Sequence, residues 1–194
     1  MALDSTALIQ DVDKIAEYLK ETPPIQGDAR PVVEAIINGL SAAIEAFCNR
    51  KFLAHTVSAE LYSGDGGPAI MLRSFPVNSI TTVLELDTSD GTTKATVDGS
   101  DYYVDEMGYL WKYGVGCWNI GRDNYKITYV AGGTAVPADL YYAMLNLSAR
   151  AYRDWDKKRD DIESISLDGH TTIFNVEEFP PKIRGIIKRH RVPR

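Results

Sequence analysis

The 194-residue sequence predicts an α+β fold: a helical layer of about four helices with an inserted antiparallel β subdomain. Three observations predict it. Apolar residues recur at helical spacing at both ends of the chain. Between about residues 52 and 130 the pattern changes to period two. Glycine-bearing turns cut that middle stretch into short segments.

Leu8, Ile9, Val12, Ile15, Ala16 and Leu19 share one face of a 3.6-residue period, which predicts a helix over residues 6–20. Pro23 and Pro24 end it. Asp28 is placed to cap a second helix with Pro31 in its first turn, and Val33, Ile36, Ile37, Leu40, Ile44 and Phe47 carry that helix to about Arg50. Strands are expected at Thr56–Tyr62, Ala69–Leu72, Ile80–Asp87, Tyr102–Asp105, Tyr109–Lys112 and Tyr125–Val130, with turns at Gly64–Gly67, Ser89–Gly91, Asp98–Gly99 and Met107–Gly108. Helix returns at Pro137 and runs to about Lys158 along Leu140, Ala143, Met144, Leu147 and Ala151. A short hairpin is expected over Ile162–Leu167 and His170–Phe174. A last helix starts near Pro180 and Pro181. The chain reads as one domain over 1–194, with a β subdomain at 52–130 and a C-terminal helix and basic arm at 176–194.

At 44% hydrophobic and 25% charged, the chain is equipped for a packed core. Its net charge of −6 argues against general nucleic-acid binding. Cys48 and Cys117 lack metal-ligand spacing and do not make a disulfide framework, which suits a reducing compartment. The first residues lack the basic start and apolar core of a signal peptide, and no apolar run approaches the roughly 18 residues of a membrane span.

The motifs that resemble chemistry have simpler readings. Gly132-Gly133 leads from a strand into a helix, as a phosphate loop does, but no lysine follows; a turn and a cap at Thr134, Pro137 and Asp139 explain it. Gly114-Val115-Gly116 lacks the third glycine of a dinucleotide fingerprint. Asp65 alone does not make a calcium loop. His55, His170 and His190 fall in no metal-binding arrangement, and Ser166, Asp168 and His170 crowd one turn rather than converging from separate elements. Nothing here calls for a cofactor or metal. Trp155, among charges of both signs from Arg153 to Asp161, is a candidate interface anchor.

The tail is different. Lys182, Arg184, Lys188, Arg189, Arg191 and Arg194 are basic, and no acid follows Glu178. Subtracting those six charges from −6 leaves −12 on the rest. Such a tail suits nucleic acid, an acidic protein or a neighbouring copy. Ile183, Ile186 and Ile187 add an apolar stripe that phosphate binding does not need, so protein docking is the better reading. On residues alone, three functions stay open. They are a protein that docks on partners, a hydrolase on the β unit, and a β-rich ligand-binding module with Trp111 and Trp118 as a sugar-stacking surface.

Four segments then occur in a familiar order: AAIEAFCNRKF, LYSGDGGPAIMLRSFPVNSITTV, DYYVDEMGYLWK and ITYVAGGTAVPADLYYAMLNLSARAY. Together they cover roughly residues 7–158, and the layout resembles the head–tail connector proteins of long-tailed bacteriophages, also called adaptor or head-completion proteins. The resemblance implies a non-enzymatic virion protein of the neck, made in the bacterial host cytoplasm and without membrane contact. It implies a ring of about twelve copies beneath the portal protein, around a channel through which DNA passes. It also implies a surface for the next neck or tail-completion protein. The tail arm would grip the portal through Ile183, Arg184, Ile186, Ile187, Lys188, Arg189, Arg191 and Arg194. The β insertion is larger than in the small helical members.

Overall fold

The computed structural model describes residues 2–20, 25, 27, 29–156 and 179–192. The expected Asp28 cap, the 162–174 hairpin, His170 and Arg194 lie outside them. The chain divides into two compact units, Met1–Leu53 with Ala135–Arg194, and Ala54–Thr134.

The first unit is helical: α1 (Asp13–Leu19), α2 (Ala29–Cys48), α3 (Ala138–Asp156) and α4 (Pro181–Arg189). Its core is built from the stripes that the periodicity marks: Val33, Ile36, Ile37, Leu40 and Ile44 of α2 against Leu140, Ala143, Met144 and Leu147 of α3. By length and composition α2 is apolar enough to cross a membrane, which the sequence reading did not grant it. Here it packs along α3, with nine of its residues buried.

The first helix is shorter than the predicted 6–20. Leu8, Ile9 and Val12 are buried as expected, yet they are not helical. Side chains of α2 hold this segment in place through its backbone N–H groups. The Leu8 N–H donates to Ser41 Oγ at 3.0 Å, and the Asp4 N–H donates to Asn38 Oδ1 at 3.1 Å. Asp11 Oδ1 then accepts the Asp13 N–H, where the helix starts.

The second unit holds seven strands: β1 (His55–Gly64), β2 (Ala69–Met71), β3 (Val77–Leu86), β4 (Thr93–Thr96), β5 (Tyr102–Val104), β6 (Tyr109–Lys112) and β7 (Gly121–Ala131). They form two antiparallel sheets, ordered β1–β7–β3–β4 and β2–β6–β5. The predicted four helices and antiparallel sheets are therefore present. β4 was not predicted, because all four of its residues are exposed and it shows no alternation. Tyr62, Leu72, Val83, Leu110, Trp118, Tyr125, Ile127 and Tyr129 make the core. Trp118 sits edge-on to Tyr125 at 5.0 Å, and its indole N–H donates to the Leu110 carbonyl at 3.1 Å.

A partly buried polar network adjoins this core. The hydroxyls of Tyr62 and Tyr129 both donate to Glu60 Oε2, and Arg73 donates to Glu60 Oε1 at 3.0 Å. The Arg73 and Ser74 amides in turn donate to the two tyrosine oxygens. Burial opposes ionisation of Glu60, but the hydrogen bonds from Tyr62, Tyr129 and Arg73 outweigh it, and the carboxyl is held below the usual range.

Gly132 and Gly133 make a turn, as the sequence suggests. Gly132 has φ +111°, and its N–H donates to the Pro76 carbonyl at 2.9 Å. That amide is therefore not turned toward a phosphate.

Candidate interaction surfaces

Two surfaces merit description, one in each unit. In the helical unit it is the C-terminal segment. Pro180 and Pro181 start α4 at the position proline tolerates best. The isoleucine stripe then turns inward. Ile183 and Ile187 are buried in the unit's own core, and Ile186 is half-buried at its edge. The sequence reading sent all three into a partner's groove. In this structure two of them hold the helix to its own body.

The chain after α4 is fastened down as well. The Val192 N–H donates to the Cys48 carbonyl at 3.0 Å, and Asn49 Nδ2 donates to the Val192 carbonyl at 3.1 Å. The Arg191 guanidinium lies 5.0 Å from the centre of the Phe47 ring, and His190 meets Phe52 edge-on at 6.0 Å. His190 Nε2 is 3.0 and 3.1 Å from the two oxygens of Asp139, and Arg189 donates to Asp139 Oδ2 at 3.3 Å. Asp139 stands in the first turn of α3, and Arg189 ends α4, so each charge also suits its helix dipole. Partial burial raises the Asp139 carboxyl, but the His190 hydrogen bond and charge outweigh it, and the net shift is downward. Cys48 is core, as expected; burial pushes its thiol up to about 11.

Of the predicted arm residues, Lys188, Arg189 and Arg191 remain exposed, as does Lys182, while Arg184 is half-buried. Trp155 is half-buried. It stacks on Tyr152 at 5.9 Å and packs against the helical core. His190 and Asp139 were not read as partners. They are 51 residues apart in sequence, and no local pattern joins them.

The second surface lies on the three-stranded sheet β2–β6–β5. Ile70 and Leu110 point inward, and Met71, Tyr103, Tyr109 and Trp111 alternate to the outer side. Trp118, paired with Trp111 as a stacking surface in the sugar-binding alternative, is fully buried. Among the described residues, no group of three His, Cys, Asp or Glu is placed to hold a metal ion.

The chain is thus a helical unit interrupted by a β unit, with a basic C-terminal segment fastened to the helices. The head completion protein family matches residues 8–192, and the chain belongs to that family. Its role is structural, that of a head–tail connector of the virion. No curated protein matches the chain.

Among solved structures, the chain is similar to one in the neck of an empty gene transfer agent particle computed with C6 symmetry. That match has 19% identity and a TM-score of 0.66, and covers 100% of this chain and 94% of the other. It is similar to one in the virion of a native gene transfer agent particle, at 18% identity and a TM-score of 0.57, covering 100% and 94%. It is also similar to one in the neck of a native particle computed with C12 symmetry, at 19% identity and a TM-score of 0.54, covering 100% and 93%. These likenesses establish the shared fold.

Proposed function

We propose that the chain forms a closed ring, sixfold or twelvefold, in the neck of a phage-like particle, between the portal and the tail, and that it carries out no catalysis. The observation that carries this reading is the family match over almost the whole chain. The symmetries of the neck structures that share its fold supply the ring. The charge distribution supports a place beside moving DNA. Residues 54–134 hold ten acids and five bases, and an acidic wall lets a polyanion slide without capturing phosphates.

The portal contact in this reading is made by the C-terminal segment, with Lys182, Lys188, Arg189 and Arg191 toward an acidic surface and Ile186 at its apolar margin. Ile183 and Ile187 hold the segment in place rather than entering the partner. Rim charges contribute about 0–1 kcal/mol each, so single Arg→Ala changes are tolerated, whereas several reversals together are not. Deleting the whole segment would remove core residues, so charge reversal is the cleaner test. DNA-filled heads made without the chain should leak DNA and lack tails, and added wild-type protein should restore both. Lys182→Glu with Lys188→Glu should fold normally yet fail to bind heads at moderate salt. If heads lacking the chain retain DNA and join tails normally, the connector reading fails.

A further inference from the structure

We propose that the outer face of the sheet β2–β6–β5 is the docking surface for the tail-side neighbour in the neck, and that it receives a basic segment bearing flat apolar side chains. This rests on the connector reading above.

The face is apolar, aromatic and ordered. Met71 is 56% exposed, Tyr103 43% and Tyr113 56%. Cross-strand pairing lines up Ala69, Trp111 and Tyr103 in one row and sets Met71 opposite Tyr109 in the next. Tyr103 and Tyr113 pack with centroids 4.9 Å apart and their planes tilted by 38°, and Tyr109 lies 6.0 Å from Trp111. The Trp111 indole N–H donates to Asp105 Oδ2 at 2.9 Å, which fixes that ring in the stripe. The stripe crosses all three strands. Preset aromatic side chains of this kind form the centres of protein interfaces, because they bury much area and have little rotamer freedom to lose.

Charge decides the occupant. The unit has a net charge of −5, and exposed Asp101 and Glu106 flank β5 beside Asp105. That sign repels nucleic acid and favours lysine or arginine, whose cationic heads also stack on tyrosine and tryptophan faces. A second copy of this chain is a poor source of that charge. Its basic segment faces the portal in the reading above. The complementary charge therefore comes from a different protein, the one on the tail side.

The test uses DNA-filled heads lacking the chain, supplied with wild-type protein, with Tyr103→Ser plus Tyr113→Ser, or with Asp101→Lys plus Glu106→Lys. All four side chains are exposed, and circular dichroism checks that each variant is folded. Copies bound per head and tails joined per head are counted separately. Both variants should bind heads as wild type does, while tail joining falls by roughly tenfold or more. A photoreactive residue in place of Tyr113 should cross-link a Lys- or Arg-containing peptide of a tail-side protein. Unchanged tail joining overturns the proposal, as does a cross-link to another copy or to DNA. Failure of wild-type protein to bind heads overturns the connector reading itself, which is a separate result.

Discussion

Ile187→Ala should destabilise the helical unit even with no partner present. Ile187 is fully buried, and its carbonyl accepts from Cys48 Sγ at 3.6 Å. The change removes three carbons. At about 0.8 kcal/mol per buried methylene, transfer alone accounts for roughly 2.4 kcal/mol. An unfilled cavity adds to that, so about 3 kcal/mol is expected, within the usual range of about 2–5 for such changes. In a unit of this size the melting temperature should fall by about 10–15 °C. Ile186→Ala, at a half-buried position, should lose less than about 1 kcal/mol. Urea titration and calorimetry of the free protein measure both. The inward assignment of the α4 stripe is refuted if Ile187→Ala melts within a degree of wild type but weakens head binding, because the side chain would then act on a partner.

The remaining predictions concern acids, a glycine and a thiol. Asp139 has a folded pKa below its unfolded value, so its contribution is present above about pH 4 and is lost as the pH falls through the folded value. Asp139→Asn should therefore reduce stability at pH 7 and progressively less as the pH is lowered below about 4, by urea titration across that range. Glu60→Gln turns the charged acceptor of all three hydrogen bonds into a neutral amide and sets its NH2 against at least one donor, so it should lose about 1–3 kcal/mol, read from unfolding of the β unit. Gly64→Ala would place a Cβ 2.0 Å from the Asn119 carbonyl oxygen, which β-unit backbone must move to relieve. It should lose about 1–3 kcal/mol or more by the same measurement. Iodoacetamide at pH 8 should label exposed Cys117 and spare Cys48, whose thiol is buried and pushed up to about 11; mass spectrometry of the peptides decides it.

Much of the fold was legible because burial follows period. Val33, Ile36, Ile37, Leu40 and Ile44 mark α2 by spacing alone, and the alternation in β1 and the second half of β7 marks strands. Two kinds of feature were not legible. Where an irregular segment is pinned by a distant side chain, as Leu8 is by Ser41, an apolar helical period is present without a helix. Where both sides of an element are apolar, period does not say which side meets the core. Tyr-Leu-Trp-Lys of β6 buries Leu110 and turns Tyr109 and Trp111 outward, and the sequence favours neither arrangement. The isoleucines of α4 pose the same question. Their spacing defines a face, but only the packing shows that Ile183 and Ile187 belong to the chain's own core. The Asp139–His190 pair joins elements 51 residues apart and leaves no local trace.

The central claim is a ring of this chain in the neck, and cryo-electron microscopy of the assembled particle tests it most directly. The account predicts density for the two units of this fold repeated around the DNA channel, with α4 toward the portal and the β2–β6–β5 face against a tail-side protein. Particles whose neck is complete without this chain, or that carry it elsewhere on the virion, would contradict the account.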